Sequence, residues 1–185
     1  MEQLAIQVPA PENLHRLKSL MHQMCGSREA RDYTAFIDPV QPTADPVRVL
    51  IRATELPAGL SGAPMTAPQA GETRPFVLYA SPSKKVNAKN NRLRKSLPDP
   101  ESRMRWLHDK ARVAGCWLSD DTTITATHRW PTQRDDDRFT FTAVQVSGRL
   151  TVTDPDAFAH ALLAGIGPGA TWGIGGLFLV DEEAP

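Results

Sequence analysis

Apolar positions along this chain recur with two different periods, and the changes of period mark out its strands and helices. Leu4, Ile6 and Val8 alternate with polar or small residues, the pattern of a half-buried strand, which Pro9 and Pro11 end. From Glu12 to Met24 the spacing lengthens. Leu14, Leu17, Leu20, Met21 and Met24 share one helical face, with Pro11 suited to the first turn and Gly26 just past the end. Further strands are expected at Tyr33 to Ile37, Val47 to Ala53 and Arg74 to Ala80.

Between Glu55 and Gly71 there is no periodicity, and the Ala, Pro, Gly and Ser content predicts a long loop. Pro98 and Pro100 then introduce a helix from about Glu101 to Ala114, whose inward face carries Met104, Leu107, Ala111 and Ala114. Strands follow near Cys116 to Leu118, Thr122 to Trp130 and Phe139 to Val152, with the mixed charges of Arg134 to Arg138 as a hairpin tip. Asp154 caps a helix that has Pro155 at its first position and runs to about Ala164; a glycine loop and a strand from Gly175 to Val180 close the chain. The fold class is α+β. Each half has the succession of a ferredoxin-like unit, one expected over residues 1–81 and the other over 82–185.

Composition adds one asymmetry. Hydrophobic residues make up 41% of the 185 and charged residues 23%, too apolar for a disordered chain and ample for a core. Net charge is zero, yet between Lys84 and Arg112 ten Lys or Arg face only Asp99, Glu101 and Asp109. A neutral protein thus carries one strongly basic element. Cys25 and Cys116 lack C-x-x-C spacing, so neither a disulfide framework nor a metal site is expected, and a reducing cytoplasm fits. No secretory signal is read at the start. The uncharged stretch from Ala157 to Val180 is broken by six glycines, Pro168 and His160, so it predicts helix, loop and strand and no membrane span.

Three features are candidates for chemistry. Lys84, Lys85, Lys89, Arg92, Arg94 and Lys95 fall within twelve residues that contain no acid, interleaved with Asn87, Asn90 and Asn91; Arg103, Arg105, Lys110 and Arg112 continue the charge along the following helix. The choice is between a solvated face and a nucleic-acid surface, and the missing acids favour the latter. His15 lies in the first turn of the first helix and shares a face with Lys18, Ser19 and His22. A histidine there can exchange protons with a ribose hydroxyl or a leaving oxygen, although an exposed helix histidine is more often inert. The loop from Gly165 to Gly176 holds half of the twelve glycines, including Gly165, Gly167 and Gly169. It either forms a structural turn or lies against phosphates or an RNA strand. It is not a dinucleotide fingerprint, since it follows a helix and enters a strand.

The order of these segments resembles the CasE family of CRISPR-associated endoribonucleases, of the RAMP superfamily. The likeness is carried by Val146-Ser-Gly-Arg-Leu-Thr-Val-Thr-Asp-Pro, Gly165-Ile-Gly-Pro-Gly and Gly173-Ile-Gly-Gly-Leu-Phe-Leu at the end of the chain. Ala80-Ser-Pro-Ser-Lys, the basic segment and Trp106-Leu107 carry it in the middle, and Leu14-His15 with Ala30-Arg-Asp-Tyr at the front. The resemblance implies two tandem ferredoxin-like (RNA-recognition-like) domains that bind the stem-loop of a CRISPR repeat RNA. It implies metal-independent cleavage of the precursor at the base of the hairpin, with no cofactor, and a nuclease that stays on its product as a subunit of the type I-E (Cascade) complex, next to the backbone subunit. His15 would be the catalytic residue, with Glu12, Arg16 and His22 as possible supports, and the basic residues and glycine loop would hold RNA. Many relatives have a tyrosine where this chain has Glu12 and a lysine where it has Ala170. The competing expectation is therefore a binding subunit of the same fold with little or no activity. A housekeeping RNA-recognition protein is disfavoured by the lack of an aromatic RNP-type strand motif.

Overall fold

A computed structural model of the chain describes residues 1–9, 14–25, 33–40, 42, 44–56, 58–88, 91–134 and 137–180; within these, the side chains of residues 15, 22, 24, 25, 87, 88, 91–93, 132–134 and 137–139 are not described. Glu12, Lys89, Pro11 and Gly26 lie outside the described residues, as do the side chains of His15, His22 and Arg92.

The first unit runs β1 (Glu2–Val8), α1 (Leu14–Cys25), β2 (Tyr33–Ile37), β3 (Val47–Ala53) and β4 (Ala63–Pro64), in an antiparallel sheet of order β2-β3-β1-β4. Alternation on β3 decides its faces. Val47, Val49, Ile51 and Ala53 join Leu14, Leu17 and Met21 of α1 in one buried cluster. Leu50 and Arg52 therefore point to the other side, and both are buried there.

The second unit runs β5 (Thr73–Ala80), a hairpin of β6 (Ser83–Ala88) and β7 (Asn91–Ser96), α2 (Pro100–Val113), β8 (Cys116–Leu118), β9 (Thr123–Arg134), β10 (Asp137–Val152), α3 (Pro155–Ala164), a 3-10 turn (Ala170–Trp172) and β11 (Leu177–Leu179). Its sheet has the order β11-β5-β10-β8, with β9 also paired to β10. Without the inserted hairpin and β9, both sheets have the strand order of a β-α-β-β-α-β ferredoxin-like unit. Phe76, Leu78 and Ala80 of β5 and Val144, Val146, Leu150 and Val152 of β10 face Leu107 and Ala111 of α2 and Phe158, Ala161 and Leu162 of α3. The opposite face of that sheet sends Tyr79, Trp130 and Ala143 into the α1 cluster, so the two units share a core.

Two helix starts follow the expected chemistry. Asp154 accepts hydrogen bonds from the Asp156 and Ala157 backbone N–H groups, with Pro155 at the first helical position. Asp99 accepts from the Ser102 N–H, which lowers the pKa of its carboxyl below the ordinary value.

The strand at 73–80 corrects one expectation. Instead of completing the first sheet, β5 is paired from Thr73 to Ala80 with β10, and through Phe76, Val77 and Leu78 with β11. The fourth strand of the first sheet is the two-residue β4, inside the segment expected to be loop throughout, where Ala63 pairs with Gln3. The chain thus changes sheets between Pro64 and Thr73, upstream of the expected 81/82 division. Both sheets are antiparallel with half-buried strands, so alternation alone could not assign β5 to either. The stretch from Ala157 to Val180 forms α3, the turn and β11, and among the described residues no helix is long and apolar enough to cross a membrane.

Candidate nucleic-acid interface

The basic segment is the β6–β7 hairpin, a two-stranded sheet inserted between β5 and α2. Its base is closed by the Leu97 N–H on the Pro82 carbonyl at 3.0 Å, and the preceding Ser81 hydroxyl donates to Thr142 O at 2.9 Å. Lys84 stands opposite Lys95, and Lys85 opposite Arg94. All four side chains are exposed. Successive strand residues face opposite sides, so each face of the hairpin carries a like-charge cross-strand pair with no acid in either strand. Like charges placed directly opposite are unfavourable, and an isolated two-stranded hairpin is marginal in water. A polyanion held between or across these strands removes that repulsion.

The basic residues of α2 are differently placed. Arg103 donates from Nε to Leu97 O at 2.9 Å and from Nη1 to Thr127 Oγ1 at 3.5 Å, tying the exit of the hairpin to α2 and β9. Arg105 pairs with Glu101 at 2.8 Å and Arg112 with Asp109 at 2.7 Å, all of them exposed. Lys110 lies 5.9 Å from the Trp106 ring and Arg112 lies 5.6 Å from that of Trp117. The positive charge expected to continue along the helix is thus partly offset by internal pairing. Exposed ion pairs of this kind are worth about 0–1 kcal/mol, weak enough for a phosphate to compete.

His15 is the second residue of α1, beside the fully buried Leu14 that anchors the first turn on the core. Backbone N–H groups of a first turn have no partner within the helix. Arg16 is exposed. One turn on, Lys18 is half-buried with its ammonium 4.7 Å from the Trp172 ring, and Trp172 in turn lies against Phe141 at 5.9 Å. Between α1, β2 and the 3-10 turn is a cleft of about 250 Å³, with Lys18, Tyr33, Ala170 and Trp172 among its lining residues. His22 lies seven residues beyond His15 on the same helix.

The glycine loop makes its close approaches to this protein itself. At Gly167 (φ +82°) the Cβ direction is filled by the Trp106 ring, and at Gly165 (φ +83°) by the Phe36 ring. Beside Gly169 that direction meets Ile174. The loop also fastens to the first unit, where the Ile37 N–H donates to Gly173 O at 2.9 Å. A structural turn accounts for these positions.

Two buried polar groups have no counterpart in the sequence reading. Arg52, 2% exposed, donates from Nη1 to Leu162 O at 2.9 Å and Leu177 O at 2.7 Å and from Nε to Gln3 Oε1 at 2.8 Å, with the Phe178 ring 4.6 Å from its guanidinium carbon. Leu162 O belongs to the last turn of α3, where the helix dipole is negative. Burial lowers the Arg52 pKa to about 10, so the group remains charged at neutral pH. It joins the two units through neutral carbonyls. Tyr79, fully buried, accepts a hydrogen bond from Trp130 Nε1 at 2.5 Å.

Two ferredoxin-like units in tandem, a projecting basic hairpin and a cleft beside a histidine-bearing helix define an RNA-recognition-like architecture. The family model described as CRISPR associated protein matches residues 9–181, and the chain belongs to that family. Among solved structures the chain is similar to Thermus thermophilus Cse3 bound to an RNA representing a pre-cleavage complex (TM-score 0.77, 22% identity, 98% of this chain and 100% of that one). It is also similar to the CRISPR-associated protein Cas6e from Escherichia coli K-12 (TM-score 0.70, 19% identity, 96% and 97%). A third match is a chain of a CRISPR RNA-guided surveillance complex (TM-score 0.69, 21% identity, 97% and 98%). No curated protein matches the chain.

Proposed function

We propose that this protein is a metal-independent endoribonuclease that binds the stem-loop of a CRISPR repeat RNA and cuts the precursor at the base of the hairpin. The observation that carries the reading is the acid-free hairpin β6–β7 with its opposed cations, on a chain that belongs to the CRISPR-associated family and shares the fold of a Cse3 solved with RNA. The duplex phosphates lie against Lys84, Lys85, Arg94 and Lys95, with Lys89 and Arg92 as further cations of the same stretch of sequence. The 2′-hydroxyl next to the scissile phosphate loses its proton, its oxygen attacks phosphorus, and the bond to the 5′ oxygen breaks. The leaving oxygen takes up a proton, giving a 2′,3′-cyclic phosphate and a 5′-hydroxyl. His15 supplies or removes one of these protons, which needs no metal. The protein then remains on the hairpin as a subunit of a Cascade complex, a role supported by the likeness to a chain of the surveillance complex.

The second reading, a hairpin-binding subunit with little activity, is favoured by Glu12 and Ala170. Incubating the host repeat RNA with the protein in chelator decides between them. Cleavage with a cyclic-phosphate end, lost in His15→Ala while binding persists, supports the enzyme. Tight binding without cleavage by the parent protein supports the binder.

A further inference from the structure

The cleft between α1, β2 and the 3-10 turn has features that packing alone does not call for. Leu17, Met21 and Val49 supply apolar wall, whereas Tyr33, Trp172 and Lys18 add two aromatic rings and a cation. That combination suits an unstacked nucleobase with its phosphate, since bases are bound in RNA sites on aromatic and apolar surface with a few polar groups at the edge. At about 250 Å³ the cleft accommodates a single base; a helix or an RNA duplex is far too wide for it. The Trp172 ring, 4.7 Å from the Lys18 ammonium, holds that charge at the cleft. Lys18 follows His15 by three residues on α1, a spacing that puts the two on neighbouring turns of one face. A nucleotide in the cleft therefore lies within one helical turn of the histidine.

We propose that this cleft is a subsite for one unpaired ribonucleotide flanking the scissile phosphate, its base against the apolar wall and its phosphate on Lys18. The proposal rests on the endoribonuclease reading and assigns a second contact region to it, separate from the basic hairpin. Trp172 is then a positioning residue, acting through Lys18.

The test uses the full chain and three RNA probes. Two are repeat hairpins with a 2′-deoxyribose at the scissile position, one ending flush at the stem and the other extended by two unpaired nucleotides. The third is an unpaired tetranucleotide. The extension is expected to tighten wild-type binding about tenfold, the scale of one stacked base with a phosphate contact. Lys18→Ala, and Ala170→Leu, which fills the cleft from the turn, should abolish that gain and weaken tetranucleotide binding while binding the flush hairpin as wild type does. Lys18→Arg should restore part of it. If the extension gives no gain in the wild type, or the gain survives both substitutions, the subsite is overturned. Should Ala170→Leu melt early, Lys18→Ala alone carries the result. Failure of the endoribonuclease reading shows separately, as an uncut all-ribose repeat in a protein that still gains from the extension through Lys18.

Discussion

Trp106 on α2 occupies the space into which a side chain at Gly167 would project, with Cζ2 of its ring 2.8 Å from where a Cβ would stand. Gly167 also has φ +82°, a conformation that residues with a Cβ rarely adopt. The two constraints act on the same atom.

Gly167→Val is therefore expected to lower stability, by about 1–3 kcal/mol for overpacking and roughly 1 kcal/mol more for the backbone. Urea melts measure the loss. Trp106→Ala in the same chain should recover the overpacking part and leave the backbone part. If Gly167→Val instead keeps wild-type stability and loses only RNA binding, the loop faces RNA at this position and the packing account fails.

A second pairing sets an alkaline limit. Burial pushes the Tyr79 phenol up to about 12, against an ordinary value near 10. Because the folded pKa is the higher one, the stability held by the neutral phenol is complete below pH 10 and is lost as pH rises from 10 towards 12, about 3 kcal/mol in all. Burial acts the same way on Cys116, whose thiol is pushed up to about 12, so its part of the decline begins near pH 9. Tyr79→Phe should cost about 1–3 kcal/mol at neutral pH by leaving Trp130 Nε1 without its acceptor, and should flatten the decline above pH 10. Denaturant midpoints at pH 8, 10 and 11 test both parts. An unchanged alkaline slope in Tyr79→Phe would show that Tyr79 does not set it.

The hairpin predicts a salt effect with a specific origin. Replacing Lys84, Lys85, Arg94 and Lys95 by Gln should reduce the slope of log K against log[salt] for repeat RNA by roughly one unit for each phosphate that these cations neutralise in the wild type. Since two opposed like-charge pairs also disappear, the free protein should become no less stable, or slightly more so. An unchanged slope would make the hairpin a solvated surface.

Local structure was legible wherever one residue type determines it. Asp154 with Pro155 gives the start of α3, and the apolar spacing of Leu14, Leu17 and Met21 gives the buried face of α1. Partner choice was not. Thr73 to Ala80 has the alternation of any half-buried strand, and its partner Val144 to Thr151 lies some seventy residues further along. The hairpin was hidden because alternation of apolar and polar residues marks strands, whereas β6 and β7 are held out from the core and carry charge on both faces. Nothing in the strand pattern of Val47 to Ala53 marks Arg52 as buried. Only the approach of α3 and β11, more than a hundred residues later, turns it inward onto two carbonyls. At the candidate site, the basic cluster and His15 were readable as residue types. Lys18 over Trp172 was not, because it joins α1 to a turn at the far end of the chain.

The placement of the proton-transfer group is the remaining prediction. His15 and His22 lie seven residues apart on α1, about 10 Å along its axis. His15 lies in the first turn, next to a residue that is completely buried and so fixes the backbone there, and near N–H groups that a helix leaves unpaired. Those groups suit a phosphate, and the cleft with Lys18 opens one turn away. The backbone of His22 lies about two turns beyond those donors. His15→Ala should therefore lower the single-turnover cleavage rate by about two to four orders of magnitude, the range for removal of a general acid or base, and leave hairpin affinity close to wild type. His22→Ala should change the rate by less than about tenfold on the same scale. Measured with repeat RNA in chelator, the opposite ranking would move the active centre to the other end of α1 and away from the cleft.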